Sequence, residues 1–303
     1  MTGELIRPLA IETPPQEGDI PIAKAAIGYA VPGLDPRISP GAVLLALFSP
    51  TNAIVMVFIL LFHLLMQASL AIIKFAFPAI AVVACTFCIL AHYGCIVQEI
   101  GQEDRDELPR PLRGLSWSDD LWRPFCAVMA PLLFCYAPAT ATLIYYGFTQ
   151  RGLFISGSLA ALGTILFPAM MLTQATSGHA ANLRPDRLLG VIRMIGWRYV
   201  LVVFIWLITF AFYVAGLWGL ELATLGVMWW RWEKLYWMFA FVTLMVGVYL
   251  AHFFSWQLGL HYRAKHPYFP WILQRHVKRT DKEKLAIQRA ANAARLRSFN
   301  EGR

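Results

Sequence analysis

Cys85, Cys88, His92 and Cys95 fall on one stripe of a helix, because their spacing follows the three-to-four-residue period that puts side chains on a common face. Thiolates and imidazoles are the ligands of zinc, copper and haem iron, so the stripe raises metal or haem chemistry. A metal site needs ligands converging from several directions, and one stripe offers at most two neighbours to a single ion. His63 and His252 lie on two other apolar runs and complete the candidate cofactor ligands: His63, His92 and His252. Nothing in their positions pairs them, and a lone histidine in an apolar helix is ordinarily packed and hydrogen-bonded. The expectation is no metal and no cofactor.

The second chemical group is the charged island from Glu99 to Arg123. Glu99, Glu103, Asp104, Asp106, Glu107, Asp119 and Asp120 alternate there with Arg105, Arg110, Arg113 and Arg123, beside Trp117 and Trp122. These carboxylates lack the spacing of a calcium loop. Interleaved charges of both signs usually form a solvated face. No nucleophile elbow, paired zinc histidines or phosphate loop occurs in the chain. No residue receives a catalytic role, and the balance falls against an enzyme.

The elements around these groups are of membrane length. The 303 residues are 58% hydrophobic and 15% charged, with several runs of about 20 residues free of Asp, Glu, Lys and Arg. A soluble helix would need a polar face that these runs lack. The pattern predicts an all-α polytopic transmembrane bundle of about six spans, near residues 51–73, 77–97, 125–149, 153–175, 199–220 and 235–260. Three domains are expected: a proline-rich lead over 1–42 without a removable signal peptide, a six-helix membrane domain over 43–262, and a basic tail over 263–303. Loops at 98–123 and 176–198 connect the spans. Ser116 or Ser118 should cap a short helix through Asp119 and Asp120. Gly157, Ala161 and Gly163 allow a close helix approach in span four. Leu188, Leu189, Ile192 and Ile195 recur at helical spacing, which predicts an interfacial amphipathic helix there. Thr280 and Glu283 form a capping-box pattern opening a C-terminal cytoplasmic helix.

Charge placement sets the orientation. Of the 26 Lys and Arg residues, all but Lys74, Arg151, Arg231 and Lys234 fall on the side of the island. The bias places both termini in the cytoplasm. The tail from Arg263 onward carries an excess of positive charge as large as the whole chain's +8. Basic residues beside a bilayer meet anionic lipid headgroups rather than nucleic acid. The expected lipid or partner contacts are Asp106, Trp117, Trp122, Arg187, Arg193, Lys278, Arg279, Lys282 and Lys284. The expected partners are the bilayer, its anionic headgroups, and a membrane or cytoplasmic protein.

Two stretches carry a family resemblance. Gln102-Glu-Asp-Arg-Asp-Glu-Leu-Pro109 precedes an aromatic and acidic Trp117-Ser-Asp-Asp-Leu-Trp122 and a new span. Pro168 sits late in a span, followed by a polar connection, by Arg184-Pro-Asp-Arg-Leu-Leu, and by Tyr199 entering the next span. Over roughly residues 43 to 262 this resembles the uncharacterised prokaryotic polytopic membrane proteins of domain-of-unknown-function family 4013. This chain has extra residues between Pro109 and Trp117. The resemblance implies a fold and a prokaryotic cytoplasmic (inner) membrane, and no activity.

Three functions remain on the sequence. The first is a structural, accessory or partner-binding component, because the unusual sequence lies outside the spans. The second is a channel or transporter for a small solute, although the expected spans hold no Asp, Glu, Lys or Arg of the kind that ion coupling ordinarily uses. The third is a membrane enzyme or a haem- or metal-binding subunit resting on the histidine and cysteine stripe.

Overall fold

The computed structural model describes residues 39–71, 76–102, 107–111, 116–224 and 233–265, together with Phe269 and Trp271. Its regular elements among those residues are all helical. A short helix α1 (Pro40–Leu47) precedes α2 (Pro50–Ala71) and α3 (Ala76–Gln102). After the island come α4 (Arg123–Tyr146) and α5 (Gln150–Ser177). The short α6 (Pro185–Ile195) leads into α7 (Arg198–Thr224) and α8 (Glu233–Lys265). Helices α2, α3, α4, α5, α7 and α8 are each long and apolar enough to cross a bilayer, so the chain is a multi-pass membrane protein with the expected number of spans.

Four observed helices contain their expected spans; α4 ends at Tyr146, short of the expected 149, and residues 72–73 of the first expected span lie outside the described residues. Helix α3 continues to Gln102, so the start of the island is helical. Helix α1 crosses the boundary drawn at residue 42. Asp106 and the tail residues Lys278, Arg279, Lys282 and Lys284 lie outside the described residues, as does the capping box at Thr280.

Helix α8 is the axis on which the others pack. Every residue from Ala251 to Tyr262 is buried, which a helix achieves only with neighbours on all sides. Phe269 and Trp271 fold back onto it, with ring centroids 4.7 and 6.3 Å from that of Tyr262. The outer faces are the reverse. Phe77, Ile144 and Phe148 are about four-fifths exposed, as residues that meet lipid rather than water must be.

Small residues set the closest approaches. A Cβ on Gly163 would overlap the carbonyl of Cys135, so α4 and α5 touch backbone to backbone there. Gly157 has open space around it, so the expected small-residue contact is carried by Gly163. Gly216 on α7 and Gly247 on α8 do the same for that pair, against Leu244 and Tyr213.

Proline within a span removes an amide donor and breaks the helical ladder. At Pro168 in α5 the break is closed from a neighbouring helix. The Tyr199 hydroxyl on α7 donates to the Ile165 carbonyl and accepts from the Ala169 amide at 3.2 Å, standing in the gap of the ladder. Tyr199→Phe leaves both groups unpaired in a buried place, at a cost of about 1–3 kcal/mol. The expected result is a clearly lower thermal midpoint in detergent; an unchanged midpoint would show that the kink closes without Tyr199.

Candidate functional site

The histidine and cysteine stripe faces two environments. Its inner side meets α8: His92 and His252 are 4% and 0% exposed, with their Nε2 atoms 3.2 Å apart. His252 Nδ1 lies 2.7 Å from the Val248 carbonyl, which can only accept, so that nitrogen carries the proton. The neutral His252 then presents a lone pair at Nε2, and His92 donates its Nε2–H to it. The two rings form one hydrogen-bonded unit between α3 and α8. The Tyr93 ring stands edge-on to His252 at 5.2 Å.

His63 on α2 repeats the pattern. Its Nδ1 donates to the Ile59 carbonyl at 2.8 Å, and its Nε2 accepts from the Tyr213 hydroxyl on α7. Four helices thus meet through three buried histidines and two tyrosines. Sequence reasoning named the histidines but missed both the pairing and the tyrosines, since tyrosines are frequent in membrane helices and give no spacing signal.

The His92–His252 unit does not fit a haem. An iron between two imidazoles needs nitrogens about 4 Å apart, given metal–nitrogen bonds of about 2 Å, and the two rings touch directly. Among the described residues no three His, Cys, Asp or Glu side chains form a group that could hold a metal ion.

The outer side of the stripe lines a crevice. His92, Cys88 and Cys95 share it with Glu99, Arg110 and Asp120 of the island. Its volume of about 30 Å³ has room for about one water molecule. The Cys95 thiol reaches the Asp120 carbonyl at 3.4 Å, tying the stripe to the island.

The island itself is built by two caps. Ser116, rather than Ser118, opens a π-helical turn over Trp117–Trp122: its hydroxyl accepts from the Asp119 amide, and its own amide donates to Asp120 Oδ2 at 2.9 Å. Asn52 holds the other end. Buried at the start of α2, it donates to the Ala46 carbonyl of α1 at 2.8 Å and accepts from the Leu108 amide at 2.9 Å. One side chain therefore joins α1, α2 and the island loop. A lone asparagine in an apolar run gave no sign of this.

On the island's surface the aromatic rings stack. Phe87 lies 5.3 Å from Trp117 and 4.4 Å from Phe125, while Trp122 lies 5.9 Å from Phe125. Trp117 and Trp122 remain 64% and 49% exposed, and Arg123 pairs with Asp119 at 3.0 Å beside them. In α6, Leu188, Val191 and Ile195 pack onto the bundle, Leu189 is half exposed, Arg187 is half-buried and Arg193 is exposed. The structure brings Trp117 and Trp122 together and leaves Arg187 and Arg193 on a separate helix.

Comparison with family models, with curated proteins and with solved structures gives no match to this chain.

That geometry makes a distinct prediction for the histidine unit. His92→Leu or His252→Leu alone strands a buried ring nitrogen and should cost about 1–3 kcal/mol, because the remaining partner loses its hydrogen bond. The double variant should recover part of that loss, giving a coupling of about 0.5–3 kcal/mol in a double-mutant cycle of unfolding in detergent. Strict additivity would show that the rings do not interact.

Proposed function

We propose that this multi-pass protein is an accessory, partner-binding component of a prokaryotic cytoplasmic membrane, with the island end as its docking face. The observation that carries the reading is the exposed Trp117–Trp122 pair, stacked on Phe87 and Phe125 and flanked by a charged pair. Tryptophans held in one geometry lose little entropy on binding and dominate recognition surfaces. The same rings suit the membrane–water boundary. The resemblance of the island and of the Pro168–Tyr199 segment to family 4013 supports the prokaryotic setting. The basic tail, with Lys278, Arg279, Lys282 and Lys284, adds contact with anionic headgroups.

Quantitative crosslinking in native membranes tests the docking face. The wild-type chain should return a reproducible protein partner, and Trp117→Ala/Trp122→Ala should lower its recovery at least tenfold at equal chain level. Equal recovery from both would reject the island as the contact.

Orientation is a separate test. A single cysteine at Gln150, in a chain whose native cysteines are replaced by serine or alanine, should react with an impermeant thiol reagent from the outside of intact cells. Labelling only after access to the cytoplasm would reverse the proposed topology.

A further inference from the structure

One ring nitrogen of His92 is left over by the histidine pair. His252 holds its proton at Nδ1 against the Val248 carbonyl, so His92 carries its own at Nε2 and donates it to His252. The Nδ1 of the neutral His92 is therefore a lone pair. It has no hydrogen-bond partner among the described residues, and it is not one of the polar atoms sealed from solvent there. The little surface that His92 keeps belongs to the crevice, whose wall it forms.

The other polar groups around the pair do not reach this nitrogen. His63 on α2 is engaged by the Tyr213 hydroxyl of α7, and the Tyr93 ring stands against His252. Neither histidine partner lies in the crevice wall. Its polar groups are Glu99 on α3, Arg110 and Asp120 of the island, and the thiols of Cys88 and Cys95. The crevice thus joins an acceptor in want of a donor to charged groups that can both accept and donate.

Size decides the ligand. A bound water needs roughly 10–15 Å³ and about two to four polar partners, and this crevice offers about 30 Å³ and more than one partner. A headgroup or a nucleotide has no room. We infer that the crevice binds a single water, which donates one hydrogen to His92 Nδ1 and turns the other toward the charged groups of the island. That water would link the histidine pair to the island across the crevice. The site is independent of the docking face, since it uses the crevice wall rather than the exposed rings. Ammonium has a similar size and the same donor chemistry, so the experiment separates the two.

The test uses the full chain in nanodiscs with ¹⁵N-labelled histidine. A structure that resolves waters should show one at about 2.7–3.2 Å from His92 Nδ1. The Nδ1 resonance should lie upfield of the position of a free lone pair. A dry crevice, or a free-lone-pair resonance, would overturn the inference. Ammonium added at constant ionic strength should leave the resonance in place; a saturable shift would overturn water as the ligand. Cys88→Leu fills the crevice and leaves the His92–His252 bond intact. It should move the resonance to the free position and lower the thermal midpoint, because the lone pair is stranded. A raised midpoint is the result for filling a dry void, and a lowered midpoint with an unmoved resonance is that for overpacking alone. Either would overturn the inference.

Discussion

In hydrocarbon every backbone amide and carbonyl must find a partner within the protein, because no water is present to replace one. That requirement explains the placement of several polar side chains along the bundle. Where α5 breaks at Pro168, the Tyr199 hydroxyl bridges Ile165 and Ala169. Where α1 gives way to α2, Asn52 satisfies the Ala46 carbonyl and reaches on to the Leu108 amide. At the end of α3, Arg263 Nε donates to the Ile100 carbonyl at 2.8 Å, and at the end of α5 Gln102 donates to Thr176. Each repair comes from a different element, so each also locks two elements together.

The histidines obey the same rule with a different consequence. His63 and His252 each spend Nδ1 on the carbonyl one turn earlier, which leaves Nε2 as the acceptor. Their partners must then donate, and Tyr213 and His92 do so. In the fold the three histidines pair, between them, with carbonyls one turn earlier, with each other and with Tyr213. Burying them without charge avoids the high cost of an ion in the bundle centre. The unusual chemistry of the chain therefore gathers at the island end. There the stacked tryptophans face outward.

The two sides of that end differ in character. The outer side is aromatic and rigid, held by the Ser116 cap and by stacking on Phe87. The inner side is polar, enclosed by the termini of α3 and α5. A surface of that kind is shaped by what the bilayer boundary allows: rings lie at the interface, and polar groups lie where headgroups or water reach them. Both sides are anchored to the bundle through Asn52 and the Cys95 contact with Asp120.

Much of the architecture was legible from residue order because it depends on local quantities. Length without charge predicts a span, and six such stretches appear as six helices. Serine before an acidic pair predicted the cap at Ser116. Helix α1 was missed because Phe48 and Ser49 interrupt an apolar run without changing its composition. The apolar face of α6 was expected on Leu188, Leu189, Ile192 and Ile195; Leu188 and Ile195 are buried, while Val191 takes the place expected of Leu189, since packing partners rather than periodicity choose among adjacent apolar positions. The sequence by itself determined the class, the spans and the candidate chemical residues. Only the tertiary structure decided that His92 meets His252 and that Tyr199 closes the Pro168 break. Those contacts join residues 30 to 160 positions apart, and nothing in local spacing encodes which helices become neighbours.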